Sequence, residues 1–187
     1  MGVERFIRAA EDLGLSEIET ARFLVERGWS CMRAAVLPGI TRDERIIHYS
    51  DALECRIVSA FIFEDLGMKR DRARSLDRAG ESAFGCNARR LNADLKTVAS
   101  RIYVAEGLYR AGGYSLLNAA EALLSKGNRH KYFEQIGDLV NGGVMLLEQC
   151  DSEFDLHYVE KVVRMYEGLR RSVEERQSAA GPETLNL

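Results

Sequence analysis

A chain of 187 residues, 46% hydrophobic and 29% charged, has the composition of a single globular domain. It is long enough to bury roughly two-thirds of the surface its unfolded chain exposes. A formal net charge of -3 argues against nucleic-acid binding through charge alone, and no run of apolar residues is long enough to span a membrane. The cysteines Cys31, Cys55, Cys86 and Cys150 include no close pair, and the N-terminus lacks the apolar core of a secretory signal; a reducing cytoplasm is the expected compartment.

Proline makes the broadest statement about fold. Only Pro38 and Pro182 occur, so the long interval between them holds no helix breaker, and glycines punctuate it as turns. No Asn-Gly or Asp-Gly pair joins alternating strands. The expectation is all-α: a single-domain helical bundle of six to eight helices over residues 1–177, with a mobile tail over 178–187.

Residues 3–13 read as a short amphipathic helix stopped at Gly14. Ser16 with Glu19 forms a capping box that opens a second helix, with Ile18, Ala21 and Val25 inward and Gly28 at its end. Residues 30–37 add a short third piece before Pro38-Gly39 turns the chain. Thr41 with Glu44 is a second capping box, opening a helix to about residue 66 with Ile46, Leu53 and Ile57 inward. Its segment 57–63 is apolar all round. The charged stretch 69–78 reads as a short helix crossing the outside.

Residues 84–109 carry the clearest pattern. Phe84, Ala88, Leu91, Leu95, Val98, Ile102, Ala105 and Tyr109 recur at alternating steps of four and three, the spacing of one helix face meeting one partner surface. Arg89, Arg90, Asn92, Asp94, Lys96, Ser100 and Arg101 lie between them and are assigned to water. This helix and the one over 41–66 are expected to be packed together as the two central pillars. Gly112-Gly113 then reads as a turn, followed by a small helix over 114–125. The next spans 130–149, with Phe133, Ile136, Val140, Val144 and Leu147 inward and Gly142-Gly143 as a kink or a close approach. Ser152 opens the last helix, with Leu156, Val159, Val163, Tyr166 and Val173 inward. No repeat of fixed period stands out, so a solenoid is not expected.

Three constellations carry candidate chemistry. Arg42-Asp43-Glu44-Arg45-Ile46-Ile47-His48 resembles the Arg-x(4–6)-His motif of HEPN-type RNases, which implies an alternative function as a HEPN-like RNase. There His48 would act as general acid or base while Arg42 steadies the phosphate. His130 and Glu134, four apart on one helix face, suggest a metal-binding helical bundle, as do Glu153 and His157; the paired Glu-x-x-His of ferritin-like di-iron bundles is absent. Residues 24–37 can be read as a helix-turn-helix, although its second helix would offer only Arg33 to nucleic acid.

None of these reaches the specificity of a catalytic motif, and no cofactor is implied. The leading expectation is a non-catalytic helical interaction protein, a self-associating or adaptor bundle that forms a homo-oligomer or holds a protein partner. The apolar seam of 84–109 and the apolar segment 57–63 supply the surfaces.

Overall fold

The structure, a computed structural model, describes residues 2–125, 127, 129–150 and 156–179. Those residues form eight α-helices, one 3-10 turn and no strand. In chain order they are α1 (Glu4–Asp12), α2 (Glu17–Ala34), α3 (Arg42–Asp65), α4 (Lys69–Gly85), α5 (Arg89–Ala105), α6 (Tyr109–Leu124), the 3-10 turn Arg129–Tyr132, α7 (Phe133–Glu148) and α8 (Leu156–Ala179). The all-α expectation holds, and no described helix is long and apolar enough to cross a membrane. Of the tail expected over 178–187, Ser178 and Ala179 belong to α8 and residues 180–187 lie outside the described residues, as do Ser152 and Glu153.

Both capping boxes form. The Glu19 carboxylate accepts hydrogen bonds from the Ser16 backbone N–H and hydroxyl, and the Glu44 carboxylate accepts the same pair from Thr41. These bonds hold both carboxyls below their usual range, the Ser16 hydroxyl contributing most at Glu19 and the Thr41 backbone N–H most at Glu44.

Helices α2 to α7 follow one another side by side, each packed against the one before and the one after. α8 closes the far end on α6 and α7, and α1 rests on α2. The connections α3–α4, α4–α5 and α5–α6 are the same turn three times. Gly67, Asn87 and Gly107, twenty residues apart, each adopt a left-handed φ. At each, the next residue's N–H bonds the carbonyl five back (Met68 to Phe63, Ala88 to Ala83, Leu108 to Tyr103), the hydrogen-bond signature of a helix stop with an immediate restart. Ala79, Ala99 and Ala119, twenty apart again, are all fully buried between neighbouring helices. The chain therefore does carry a fixed period, one helix long. It lies in turn positions and small side chains, where a search for repeated large residues does not find it.

This architecture corrects several sequence expectations. Residues 84–109 are not one helix: Asn87 and Gly107 break the pattern, so Phe84 belongs to α4 and Tyr109 opens α6. α5 buries Asn92, Ala93, Lys96, Ala99, Ser100 and Tyr103, including three residues assigned to water. Phe84, Leu91, Val98 and Tyr109, assigned to the interior, are exposed, as are Ile46 and Leu156. The charged stretch 69–78 is the first half of a central helix, α4, whose inner face is Ala73, Ser75, Ala79, Gly80, Ser82 and Ala83. That helix separates α3 from α5, so the two expected pillars do not form a pair. Gly28 lies inside α2, which runs unbroken through residues 30–34 and leaves no helix-turn-helix.

Gly112 and Gly113 lie within α6 and make no turn. A Cβ on Gly113 would meet the Gly143 carbonyl at 2.9 Å, and one on Gly143 the Gly113 carbonyl at 3.1 Å. Close approach, rather than a kink, is thus what Gly143 supplies. The large apolar core gathers here, around Leu117, Leu123, Ile136, Leu147, Val162 and Leu169 on α6, α7 and α8.

Candidate functional site

The structure places the sequence-predicted site residues apart. Arg42 is exposed on the first turn of α3 and His48 half-buried on the same helix. They stand six positions apart, about 9 Å along the axis and about a third of a turn around it, and neither hydrogen-bonds or ion-pairs with a described residue. His130 is in the 3-10 turn and Glu134 in α7, so they do not share one continuous helix face. The His130 Nδ1 atom is buried without a hydrogen-bond partner among the described residues. Burial, then the nearby charges of Arg176 and Arg129, pushes its imidazole below the usual histidine range. Arg129, Lys131 and Arg176 line the same hollow. His157 is exposed on α8. Among the described residues, no three His, Cys, Asp or Glu side chains are grouped so as to hold a metal. All four cysteines are free, and burial pushes the Cys55 thiol up to about 12, so it packs as a small apolar residue.

Two other places draw chemistry together. The first is a groove of about 460 Å³ flanked by Arg101 and Val104 of α5 and by Met145 and Leu146 of α7, with Leu116 of α6 between them. Past Gln149 it meets a second hollow of about 670 Å³ bordered by Leu108, Tyr109 and Arg110. The lining is mainly apolar, and Met145 is 60% exposed within it. Arg101 and Arg110 are exposed at its borders, and among the described residues neither forms an ion pair.

The second lies at the other end of the array. Trp29 of α2 has two guanidinium groups over its ring: Arg56 of α3 at 4.8 Å and Arg78 of α4 at 5.1 Å from the ring centroid. Glu81 holds Arg78 through both carboxylate oxygens, at 2.7 and 2.9 Å. Arg56 is only 2% exposed, its Nε has no hydrogen-bond partner, and no described carboxylate pairs with it. Burial and then the Arg78 charge push Arg56 down to about 10, so it still carries its proton at neutral pH. Gly28 makes room for it, since a Cβ there would stand 2.8 Å from Arg56 Nε.

Neither place was legible beforehand. Arg56 sits in an apolar-leaning helix with no motif around it, and the groove needs three helices in their folded order. The chain matches no known family model, no curated protein and no solved structure.

Proposed function

We propose that this chain is a self-associating helical interaction protein, using the α5–α7 groove as its receptor surface. The observation that carries the reading is the groove itself: apolar along its length, open, and bordered by Arg101 and Arg110, which have no carboxylate of their own among the described residues. Such a surface suits an apolar helix edge flanked by acidic side chains. The chain presents one. On the outer face of α3, Phe61 is 61% exposed and Asp65 follows one helical turn later with no ion pair among the described residues, while Leu66 is exposed beside it. Groove and edge are different surfaces, so the contact is head-to-tail, and copies add one after another instead of closing as a symmetric pair.

Light scattering after size exclusion tests this. The wild-type mass is expected to rise with concentration, and Met145→Glu or Arg101→Glu to hold the chain as a monomer with unchanged helical circular dichroism. Adding Asp65→Arg to Arg101→Glu restores the opposite charges across the contact and is expected to restore association. A wild type that stays monomeric up to high concentration refutes the reading. Association that ignores Met145→Glu refutes the groove.

A further inference from the structure

An unpaired guanidinium inside a protein is among the least favourable arrangements a fold can hold, because a buried charge with no partner loses its hydration and gains nothing in exchange. Arg56 comes near to this: among the described residues it has no ion pair and no side-chain hydrogen bond, only the Trp29 ring and the more distant charges of Glu81 and Glu26, and it faces a space. Between α2, α3 and α4 lies a cavity of about 270 Å³ lined by Arg22, Glu26, Arg56, Asp71, Arg74 and Ser75, with Phe63 as an apolar wall. Arg56 and Ser75 are each 2% exposed, whereas Arg22 and Arg74 stand exposed at the rim. The Trp29 ring centroid lies 4.8 Å from the Arg56 guanidinium carbon, and no described acceptor meets the guanidinium N–H donors. The Ser59 hydroxyl gives its one proton to the Arg56 carbonyl at 2.9 Å, so across the 3.2 Å contact between the two hydroxyls Ser75 donates to Ser59.

From this geometry we infer that the cavity is a binding site for the carboxylate of a small molecule, seated two-pronged on the N–H donors of Arg56. The site does not depend on the groove or on self-association. A planar carboxylate matches the planar fork of a guanidinium with two parallel hydrogen bonds. It also fits the charge of the lining better than phosphate does. Asp71 already sits 3.8 Å from Arg74, and Glu26 has no ion pair among the described residues, so the second negative charge of a phosphate would be repelled where a single one is welcome.

The chain carries its own reporter. Trp29 is the only tryptophan and touches Arg56, so occupancy of the Arg56 N–H donors changes its fluorescence. Sodium acetate, sodium propionate and inorganic phosphate are titrated in turn, each against sodium chloride at matched ionic strength. Acetate and propionate are expected to give a saturable change that chloride does not. Binding weakens at least tenfold in Arg56→Gln and several-fold in Arg22→Ser, a rim change that leaves the fold untouched. The ligand-free Arg56→Met protein is expected to melt at a higher temperature than wild type, since it removes a buried charge that has no ion pair among the described residues. The inference is overturned if neither carboxylate saturates, if phosphate binds more tightly than acetate, or if Arg22→Ser binds as wild type does. A lower melting temperature for Arg56→Met equally overturns it, because Arg56 would then be compensated from within the chain.

Discussion

Removing the Asp77 carboxylate should be the most damaging single polar change in this fold. Lys96 is buried in the middle of α5 with its side chain 3% exposed, and its Nζ lies 2.9 Å from Asp77 Oδ1. The Ser115 hydroxyl of α6 donates to the same oxygen at 2.8 Å, so one carboxylate ties three consecutive helices. At an effective dielectric of about 20 the two charges attract by about 6 kcal/mol. Desolvation takes back most of that, and the intact pair is worth little against apolar residues of the same size. Taking away one partner is different: Asp77→Ala strands the ammonium, a loss of about 3–5 kcal/mol. For a chain of this size each kcal/mol moves Tm by about 2–4 °C, which puts the fall at about 6–20 °C. Lys96→Met leaves a carboxylate that water and Ser115 can still serve, and costs about 1–2 kcal/mol. The double variant should sit within about 1 kcal/mol of Lys96→Met alone, so that coupling rescues most of the Asp77→Ala loss. Urea melts of the four proteins, followed by circular dichroism, measure the cycle. A double variant as unstable as Asp77→Ala would show that the ion pair is not what holds α4, α5 and α6 together.

Three further outcomes follow from the packing. Asn87 holds the turn position that Gly67 and Gly107 hold elsewhere, so Asn87→Gly should stabilise by up to about 1 kcal/mol while Gly107→Ala loses about 1–2 kcal/mol, both read from urea midpoints. Gly113→Ala places a methyl 2.9 Å from a backbone carbonyl of α7 and should lose about 1–3 kcal/mol; an unchanged melt would mean α6 and α7 separate freely. The Glu44 carboxyl is held below its usual value by its bonds from Thr41, so its stabilisation is whole above pH 4.5 and is lost as pH falls through the lowered folded value. The difference in stability between wild type and Glu44→Gln should therefore shrink on acidification, and a difference that does not change with pH would contradict the capping-box account.

Local signals in the sequence were reliable where the physics is local. Ser16 with Glu19 and Thr41 with Glu44 each lie within one turn, need no tertiary partner, and both form. Gly14, in a left-handed conformation, stops the first helix as read. What misled was treating size as burial. In α4 and α5 the helices meet through Ala73, Ala79, Gly80, Ala93, Ala99 and Ser100, because close helix pairs leave no room for Leu or Phe there. The larger residues Phe84, Leu91 and Val98 then turn outward, and their regular spacing describes the open surface instead of the core. Asn87 hid the α4–α5 turn for a related reason: it adopts the left-handed conformation without being glycine, so nothing interrupts the apolar pattern running across it. Lys96 and Asn92 read as solvated because their partners, Asp77 and the Gly80 carbonyl, are on another helix. The Trp29–Arg56 contact joins α2 to α3 and leaves no trace in spacing.

The thrice-repeated turn at positions 67, 87 and 107 has a consequence for how such a molecule can change length. Each twenty-residue unit reverses the direction of travel, so one unit added or removed would send every later helix the wrong way, whereas two together restore the heading. Growth or shrinkage by pairs leaves both ends facing their original neighbours and alters only the distance between them. The span separating the Trp29 end from the α8 end is thus a dimension that duplication can adjust in forty-residue steps, without redesigning either terminus.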